Sequence, residues 1–207
     1  MTLTASPDYL PEPGFFAAAL RAERIVLLTG AQYVRQSRHN RARIRTPTGA
    51  QWLTVPVRRG QRGAPLSEIE VSPEGSWWRL HVRALRYNYG GAPFFDHLRS
   101  RLEEHLDPVF PCRLPDITVP LVRALAEMLR ITAPIEVAEE TRPMPRRPQL
   151  GNGTETWEMA LSLGPYRQAF DGFVPGLSAM DLLMNLGPMA RDLLLEHSEL
   201  IRARIPA

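Results

Sequence analysis

The chain has 207 residues, 44% of them hydrophobic, and a formal net charge of +3 at pH 7. This length predicts one domain, spanning 1–207, whose core needs neither a disulfide nor a structural metal. Cys112 is the single cysteine and no spacing resembles a zinc site, so we expect no cofactor and a reducing, cytoplasmic compartment. No apolar run approaches the roughly 20 residues of a membrane span, and the amino terminus lacks the basic stretch of a signal peptide.

Short strands and helices alternate in the N-terminal third of the chain. Hydrophobic spacing and turn residues predict a strand and loop over 1–11, a helix over 15–24, a buried strand over 25–28, and a hairpin over 41–57 with its turn at 46–49. A further short strand is predicted over 69–72.

Helices dominate the rest of the chain. Amphipathic spacing predicts helices over 77–89, 94–106, 117–129, 178–185 and 190–201, and a proline-rich basic loop over 141–152. Early alternation followed by helices predicts an α/β or α+β fold. We expect a small sheet from the N-terminal half, packed with several helices, and a helical C-terminal half.

All 25 basic residues are arginine. A GC-rich genome favours arginine codons, which accounts for the excess as a whole but not for its clustering. The stretch 24–67, here called the basic segment, contains nine arginines and no Asp or Glu. Guanidinium groups pair bidentately with phosphate and carboxylate, so the basic segment predicts an anionic ligand.

Several polar residues of the basic segment are candidates for a site. Arg41 and Arg43 alternate with apolar residues, so on a strand both project from one face. The amides of Gln32 and Asn40 flank that face and suit the orientation of a polar ligand. His39 lies among arginines, which would favour its neutral form, and is the candidate general base. The alternatives are an exposed charged strand face and an exposed loop histidine.

One candidate lies far from the basic segment in sequence. Asp181 belongs to an otherwise apolar helix, where a buried carboxylate needs a partner, so a structural Arg–Asp pair is its alternative interpretation. Tyr9 and Trp52 are ligand contacts or core aromatics, and Cys112 paired with a histidine is a weaker nucleophile candidate. The predicted catalytic residues are His39, Gln32 and Asp181, and the predicted substrate-binding residues are Tyr9, Arg35, Asn40, Arg41, Arg43 and Trp52, with no metal ligand.

Short motifs follow one another along nearly the whole chain. They are Tyr9-Leu10-Pro11 with Gly14-Phe15-Phe16, Gln32-Tyr33, Asn40-Arg41-Ala42-Arg43-Ile44, Leu53-Thr54-Val55-Pro56-Val57, the segment 89–95, and the segment 177–187. In that order and spacing they resemble the WbqC-like protein family of bacteria. The chain departs from the family pattern where Ser6 replaces a glutamine, Arg38 a tryptophan, and Thr29-Gly30 a pair of aspartates.

The resemblance implies a biosynthetic enzyme of surface-polysaccharide or specialised-metabolite pathways. It implies transfer of an amino or acyl group to or from an activated sugar or carrier-bound intermediate, and the replaced acidic pair implies altered chemistry. One alternative is a catalytically altered binding or scaffold protein of the same family. A weaker alternative is a nucleic-acid-binding protein, because the sequence carries no recognised nucleic-acid-binding motif. The expected partner is an anionic small-molecule or carrier-bound substrate, with a carrier protein or tRNA as further candidates.

Overall fold

The N-terminal and C-terminal parts of the chain contribute strands to one sheet. The computed structural model describes residues 1–141, 149–151, 156–161 and 163–202, and within these the chain forms eight strands and six α-helices. The strands are β1 (Thr2–Ala5), β2 (Arg24–Leu28), β3 (Arg41–Thr46), β4 (Gly49–Thr54), β5 (Ile135–Ala138), β6 (Gln149–Gly151), β7 (Thr156–Leu161) and β8 (Ser198–Arg202). The helices are α1 (Pro13–Ala19), α2 (Trp77–Tyr89), α3 (Phe95–Glu103), α4 (Leu114–Met128), α5 (Ala179–Leu186) and α6 (Met189–Glu196).

The parallel half of the main sheet consists of β1, β2 and β5. Helix α1 connects β1 to β2, which pair in parallel with Leu3 opposite Ile25, so these elements form a βαβ unit. Strand β1 alternates buried and half-buried residues, and the aliphatic strand β2 lies between two parallel neighbours. Such a position favours a nearly continuous hydrophobic run, because both faces of the strand are covered.

The hairpin predicted over 41–57 is confirmed as a separate two-stranded sheet. Strands β3 and β4 pair antiparallel from Arg41 opposite Thr54 to Thr46 opposite Gly49. Ala42 and Ile44 are buried. Because side chains of a strand alternate between its faces, the arginines of β3 share the other face.

The C-terminal part of the chain contains more strand than its sequence predicts. The sheet order is β5-β2-β1-β6-β7-β8, and from β1 to β8 neighbouring strands run antiparallel. The helix predicted over 190–201 ends at Glu196, and 198–202 pairs with β7 instead. Of the predicted loop over 141–152, residues 149–151 form β6, and 142–148 and 152 lie outside the described residues. A backbone pairing partner distant in sequence outweighs local helical spacing at these positions.

The predicted α/β class is confirmed, with helices packed around the sheet. Four predicted helices correspond to α2, α3, α4 and α5, and their buried residues join those of β1 and β2 in one hydrophobic cluster. The strand predicted over 69–72 is reduced to two isolated backbone bridges, Val57 with Val71 and Glu70 with Arg113. Within the described part of the chain, no helix is both long and apolar enough to cross a membrane.

Candidate functional site

Two loops meet at the carboxyl edge of the parallel strands. The loop after β1 covers 6–12 and the loop after β2 covers 29–40, and Tyr9 N–H donates to the Arg38 carbonyl at 3.0 Å between them. Leu10 has a φ of +46°, a left-handed conformation that an L side chain rarely adopts. Ligands of open α/β sheets bind at this edge, so the two loops form the candidate site.

A carboxyl group and an imidazole face each other between these loops. Asp8 Oδ1 accepts a hydrogen bond from the Ser6 hydroxyl at 2.9 Å, and His39 Nε2 lies 4.0 Å from the same oxygen. The Asp8 side chain is 27% exposed, so it is within reach of a ligand. Its Oδ2 accepts no hydrogen bond from the described residues.

The protonation state of His39 follows from its surroundings. Val34 N–H donates to His39 Nδ1 at 3.2 Å, so the lone pair of that nitrogen is occupied. Burial lowers the pKa of His39 to about 4, so the ring is neutral at pH 7 and its single hydrogen lies on Nε2, toward Asp8. From the sequence we expected neighbouring arginines to lower the pKa of His39, whereas in the folded chain burial lowers it. At 4.0 Å the Nε2–H group faces the Asp8 carboxyl without a hydrogen bond, and the role of His39 as a base stays a prediction.

Asp8 is the group of the pair that is suited to accept a proton. Burial raises the pKa of Asp8 to about 6, against the lowering effects of the Ser6 hydrogen bond and of the Arg38 charge. A carboxyl with this pKa is mostly ionised at pH 7 but binds a proton more strongly than an ordinary aspartate. That property is the one a general base needs near neutral pH.

A chain of charged side chains borders the Asp8–His39 pair. Arg38 forms a salt bridge with Glu12, and burial raises the pKa of Glu12 against the charges of Arg38 and Arg43. The Arg43 guanidinium donates to the Pro175 carbonyl at 3.4 Å. Arg38 and Arg43 are therefore partly engaged by the protein itself.

Arg41 is the arginine of the hairpin with the most available charge. Its Cζ lies 4.2 Å from the centre of the Trp52 ring and that of Arg43 lies 5.9 Å away, so both guanidinium groups share one aromatic side chain. Trp52 is 41% exposed. Within the described residues Arg41 has no salt bridge, and its buried Nε has no hydrogen-bond partner. A ligand carboxylate or phosphate would pair with this charge.

The two predicted amide residues occupy different environments. Asn40 is buried and donates from Nδ2 to the Val55 carbonyl at 2.8 Å, while its Oδ1 has no partner among the described residues. Gln32 is exposed and its backbone bridges Pro65. Arg35 is exposed on the outer side of the loop after β2. Asn40 is thus a buried residue between His39 and Arg41, whereas the side chains of Gln32 and Arg35 are exposed on the surface.

Tyr9 and Asp181 are buried in the protein interior. The Tyr9 hydroxyl and His81 Nδ1 lie 2.8 Å apart. Asp181 accepts hydrogen bonds from the hydroxyls of Tyr89 at 2.9 Å and Tyr166 at 2.6 Å, and burial raises its pKa. Its partners are tyrosines rather than the arginine that the sequence suggested. Neither side chain has the exposure that a direct substrate contact requires.

Close packing leaves no room for an aspartate at one of the two positions where the resemblance suggests an acidic pair. Gly30 lies against the end of β5, where a Cβ on this residue would collide with the carbonyl oxygens of Glu139 and Glu140. Thr29 is buried and bonds Ala138 through its backbone N–H at 2.9 Å. An aspartate at position 30 does not fit this arrangement of β2 and β5.

Several neighbours of His39 were not predicted as site residues. Ser6 and Asp8 precede the first motif and Glu12 lies within it, while Ser6 and Arg38 are departures from the family pattern. An acid in the loop after the first strand was the signal available for Asp8, because such a residue lies at the carboxyl edge of the sheet. Within the described residues, no three His, Cys, Asp or Glu side chains are grouped closely enough to hold a metal ion.

Comparison with known proteins gives one family and one distant relative. The model of the WbqC-like protein family matches residues 6–150, which include Asp8 and His39. The protein named "Uncharacterized protein Rv1507c" of Mycobacterium tuberculosis (strain ATCC 25618 / H37Rv) is 26% identical over 222 residues, covering 90% of this chain and 94% of the relative. No solved structure matches the chain.

Proposed function

Because the chain belongs to the WbqC-like protein family, we propose that it is a biosynthetic group-transfer enzyme that acts on an anionic small molecule, with Asp8 as its general base. The observation that supports this most is the accessible Asp8 carboxyl, whose pKa burial raises to about 6. Neutral His39 faces its Oδ1, which leaves Oδ2 available to the substrate. The group transferred is an amino or acyl group.

In the acyl-transfer form of the reaction, Asp8 Oδ2 removes a proton from the amino group of the acceptor. The acceptor nitrogen forms a bond to the acyl carbon of an activated donor, and the bond from that carbon to its leaving group breaks. The proton then passes from Asp8 to the leaving group, so Asp8 returns to its starting state. The Ser6 hydrogen bond to Oδ1 and the charge of Arg38 stabilise the carboxylate before the transfer.

The hairpin supplies groups that hold one anionic part of the substrate. Arg41 carries a charge with no salt bridge among the described residues, and the exposed Trp52 ring beneath it limits its movement. A guanidinium group fixed in this way loses little further freedom on binding a phosphate or carboxylate. Asn40 is buried, and its Nδ2 donates to the Val55 carbonyl at 2.8 Å, which fixes the backbone next to Arg41.

The test of this function is turnover by the Asp8→Asn variant. Wild-type protein is incubated with coenzyme A thioesters and nucleotide-activated amino sugars, and products are identified by mass spectrometry. With the pair that reacts, Asp8→Asn lowers kcat by about 10²–10⁴-fold because Asn cannot accept the proton, while KM changes little. Wild-type kcat/KM rises as the pH increases through about 6, in line with the pKa of Asp8.

The exposed Asp107 provides a matched control. Asp107→Asn makes the same chemical change away from the site and leaves kcat at the wild-type value. Wild-type turnover by Asp8→Asn would show that Asp8 is not the base. Binding of these compounds by a wild-type protein that turns none of them over would instead favour the binding or scaffold protein of the same family.

A further inference from the structure

Two loops of the basic segment enclose a depression outside the Asp8–His39 pair. It has a volume of about 330 Å³ and is lined by Val34, Arg35, Gln36 and Arg62. Backbone hydrogen bonds join the two loops: Tyr33 N–H donates to the Ala64 carbonyl at 2.8 Å, and Gly63 N–H donates to the Tyr33 carbonyl at 3.2 Å. These bonds fix the backbones next to Arg35 and Arg62, so the depression is part of the folded structure.

The charges of this depression are uncompensated. Arg35 and Arg62 are exposed, and neither forms a salt bridge within the described residues. Arg58, in the same loop as Arg62, pairs with Glu70 at 3.1 Å. No carboxylate lines the depression. Two like charges beside one cavity repel each other, and a bound anion removes that repulsion.

The backbone at the depression is strained. Gln36 has a φ of +59°, which is uncommon for a residue with a long side chain. The turn that holds it is closed by Ser37, whose hydroxyl donates to the Val34 carbonyl at 2.7 Å. Conformations of this kind cost free energy and persist where the surrounding structure enforces them, often at ligand-binding loops. The Gln36 amide adds a neutral donor to the two guanidinium groups.

The depression adjoins the candidate active site through one peptide unit. Val34 lines the depression, and its backbone N–H donates a hydrogen bond to His39 Nδ1 at 3.2 Å. We propose that Arg35, Gln36 and Arg62 bind a phosphate group of the substrate, away from the atoms that react at Asp8. The substrate class is therefore a phosphate-bearing small molecule, an identification that rests on the proposed function, although phosphate binding itself does not.

Titration calorimetry with pyrophosphate and with adenosine 3′,5′-bisphosphate tests this site. The double variant Arg35→Gln/Arg62→Gln weakens binding of both probes by about tenfold or more, since each lost guanidinium removes a charge-assisted hydrogen bond. Arg59→Gln removes one exposed arginine from the same loop but none from the depression, and changes binding less than twofold. Asp8→Asn binds the probes as the wild type does.

Three results would overturn the site: no binding of either probe to the wild type, wild-type binding by the double variant, or an equal loss in Arg59→Gln. The same titration with tRNA at two salt concentrations separates the sources of phosphate. Binding of tRNA far tighter than the probes and lost in the double variant would replace the small molecule by a nucleic acid. If Asp8→Asn turns substrate over normally while the double variant no longer binds the phosphate probes, the proposed function is wrong and the phosphate site is supported.

Discussion

At the scale of the residue, Asp8 has an environment unlike that of an ordinary surface acid. Burial raises its pKa from 3.8 to about 6, so its charged form is less stable in the folded protein than in the unfolded chain. The folded protein therefore binds the Asp8 proton more strongly than the unfolded protein. The contribution of Asp8 to the free energy of unfolding is therefore fully present below pH 3.8 and is lost as the pH rises through about 6.

Asp8→Asn should accordingly stabilise the protein at pH 8. Asn resembles the protonated acid and keeps an oxygen for the Ser6 hydroxyl, so the cost of the buried charge disappears. We expect the free energy of unfolding to increase by about 1–3 kcal/mol at pH 8, and the gain to shrink as the pH falls toward 4. Urea unfolding of both proteins at pH 4, 6 and 8 measures the difference.

Asp107→Asn serves as the control here as well, and should show no gain that depends on pH in this way. A less stable Asp8→Asn protein at pH 8 would mean that polar contacts of the carboxylate outweigh its desolvation. The expected result, together with lost turnover, would make Asp8 a case in which catalytic function costs stability.

At the scale of the element, a single hydroxyl connects helix α2 to the hairpin and to α5. The Tyr89 oxygen donates to Asp181 Oδ1 at 2.9 Å and accepts from Arg45 N–H at 2.8 Å. All three residues are buried. The hydroxyl therefore satisfies polar groups of two other elements at once, which fixes how they pack on α2.

Tyr89→Phe should destabilise the fold by about 2–4 kcal/mol. The substitution keeps the aromatic ring but leaves the Asp181 oxygen and the Arg45 N–H without this partner, and unpaired buried polar groups are costly. Tyr87→Phe on the same helix is the matched control, because that side chain is 78% exposed and its substitution should cost less than about 0.5 kcal/mol. Chemical denaturation gives both values, and equal costs for the two variants would rule out this role of the hydroxyl.

The helices and the hairpin were predictable because their signals are local. Helix α2 begins and ends within the predicted range 77–89, where apolar residues recur at helical spacing and two glycines follow. Strand β8 was not predictable in this way. Its residues continue the helical pattern of α6, and the pairing partner that makes them a strand is the distant β7.

At the scale of the whole molecule, β1 joins the two ends of the chain in one sheet. Thr2 pairs with Arg24 on one side of β1 and with Gly151 on the other. Helix α5 adds a fully buried stretch to the hydrophobic cluster that also contains β1 and β2. The N-terminal part therefore lacks an intact sheet and core without the C-terminal part.

A chain that ends at Thr141 should consequently fail to fold on its own. It lacks β6, β7, β8, α5 and α6, so β1 loses a neighbour and Tyr89 loses the Asp181 carboxylate. We expect no cooperative thermal transition by circular dichroism, in contrast to one transition for the full chain. A sharp transition with native-like near-ultraviolet signal for 1–141 would contradict the prediction of one domain spanning 1–207.

The amino-acid sequence was sufficient to predict the α/β class, the family, most helices and the hairpin, because each depends on neighbours in the chain or on ordered motifs. It also predicted His39, Asn40 and Arg41 as adjacent site residues. That Asp8 faces His39 and that Asp181 lies among tyrosines became evident in the folded chain alone. The physical reason is that burial and orientation, which set protonation and reach, arise from contacts between segments distant in sequence.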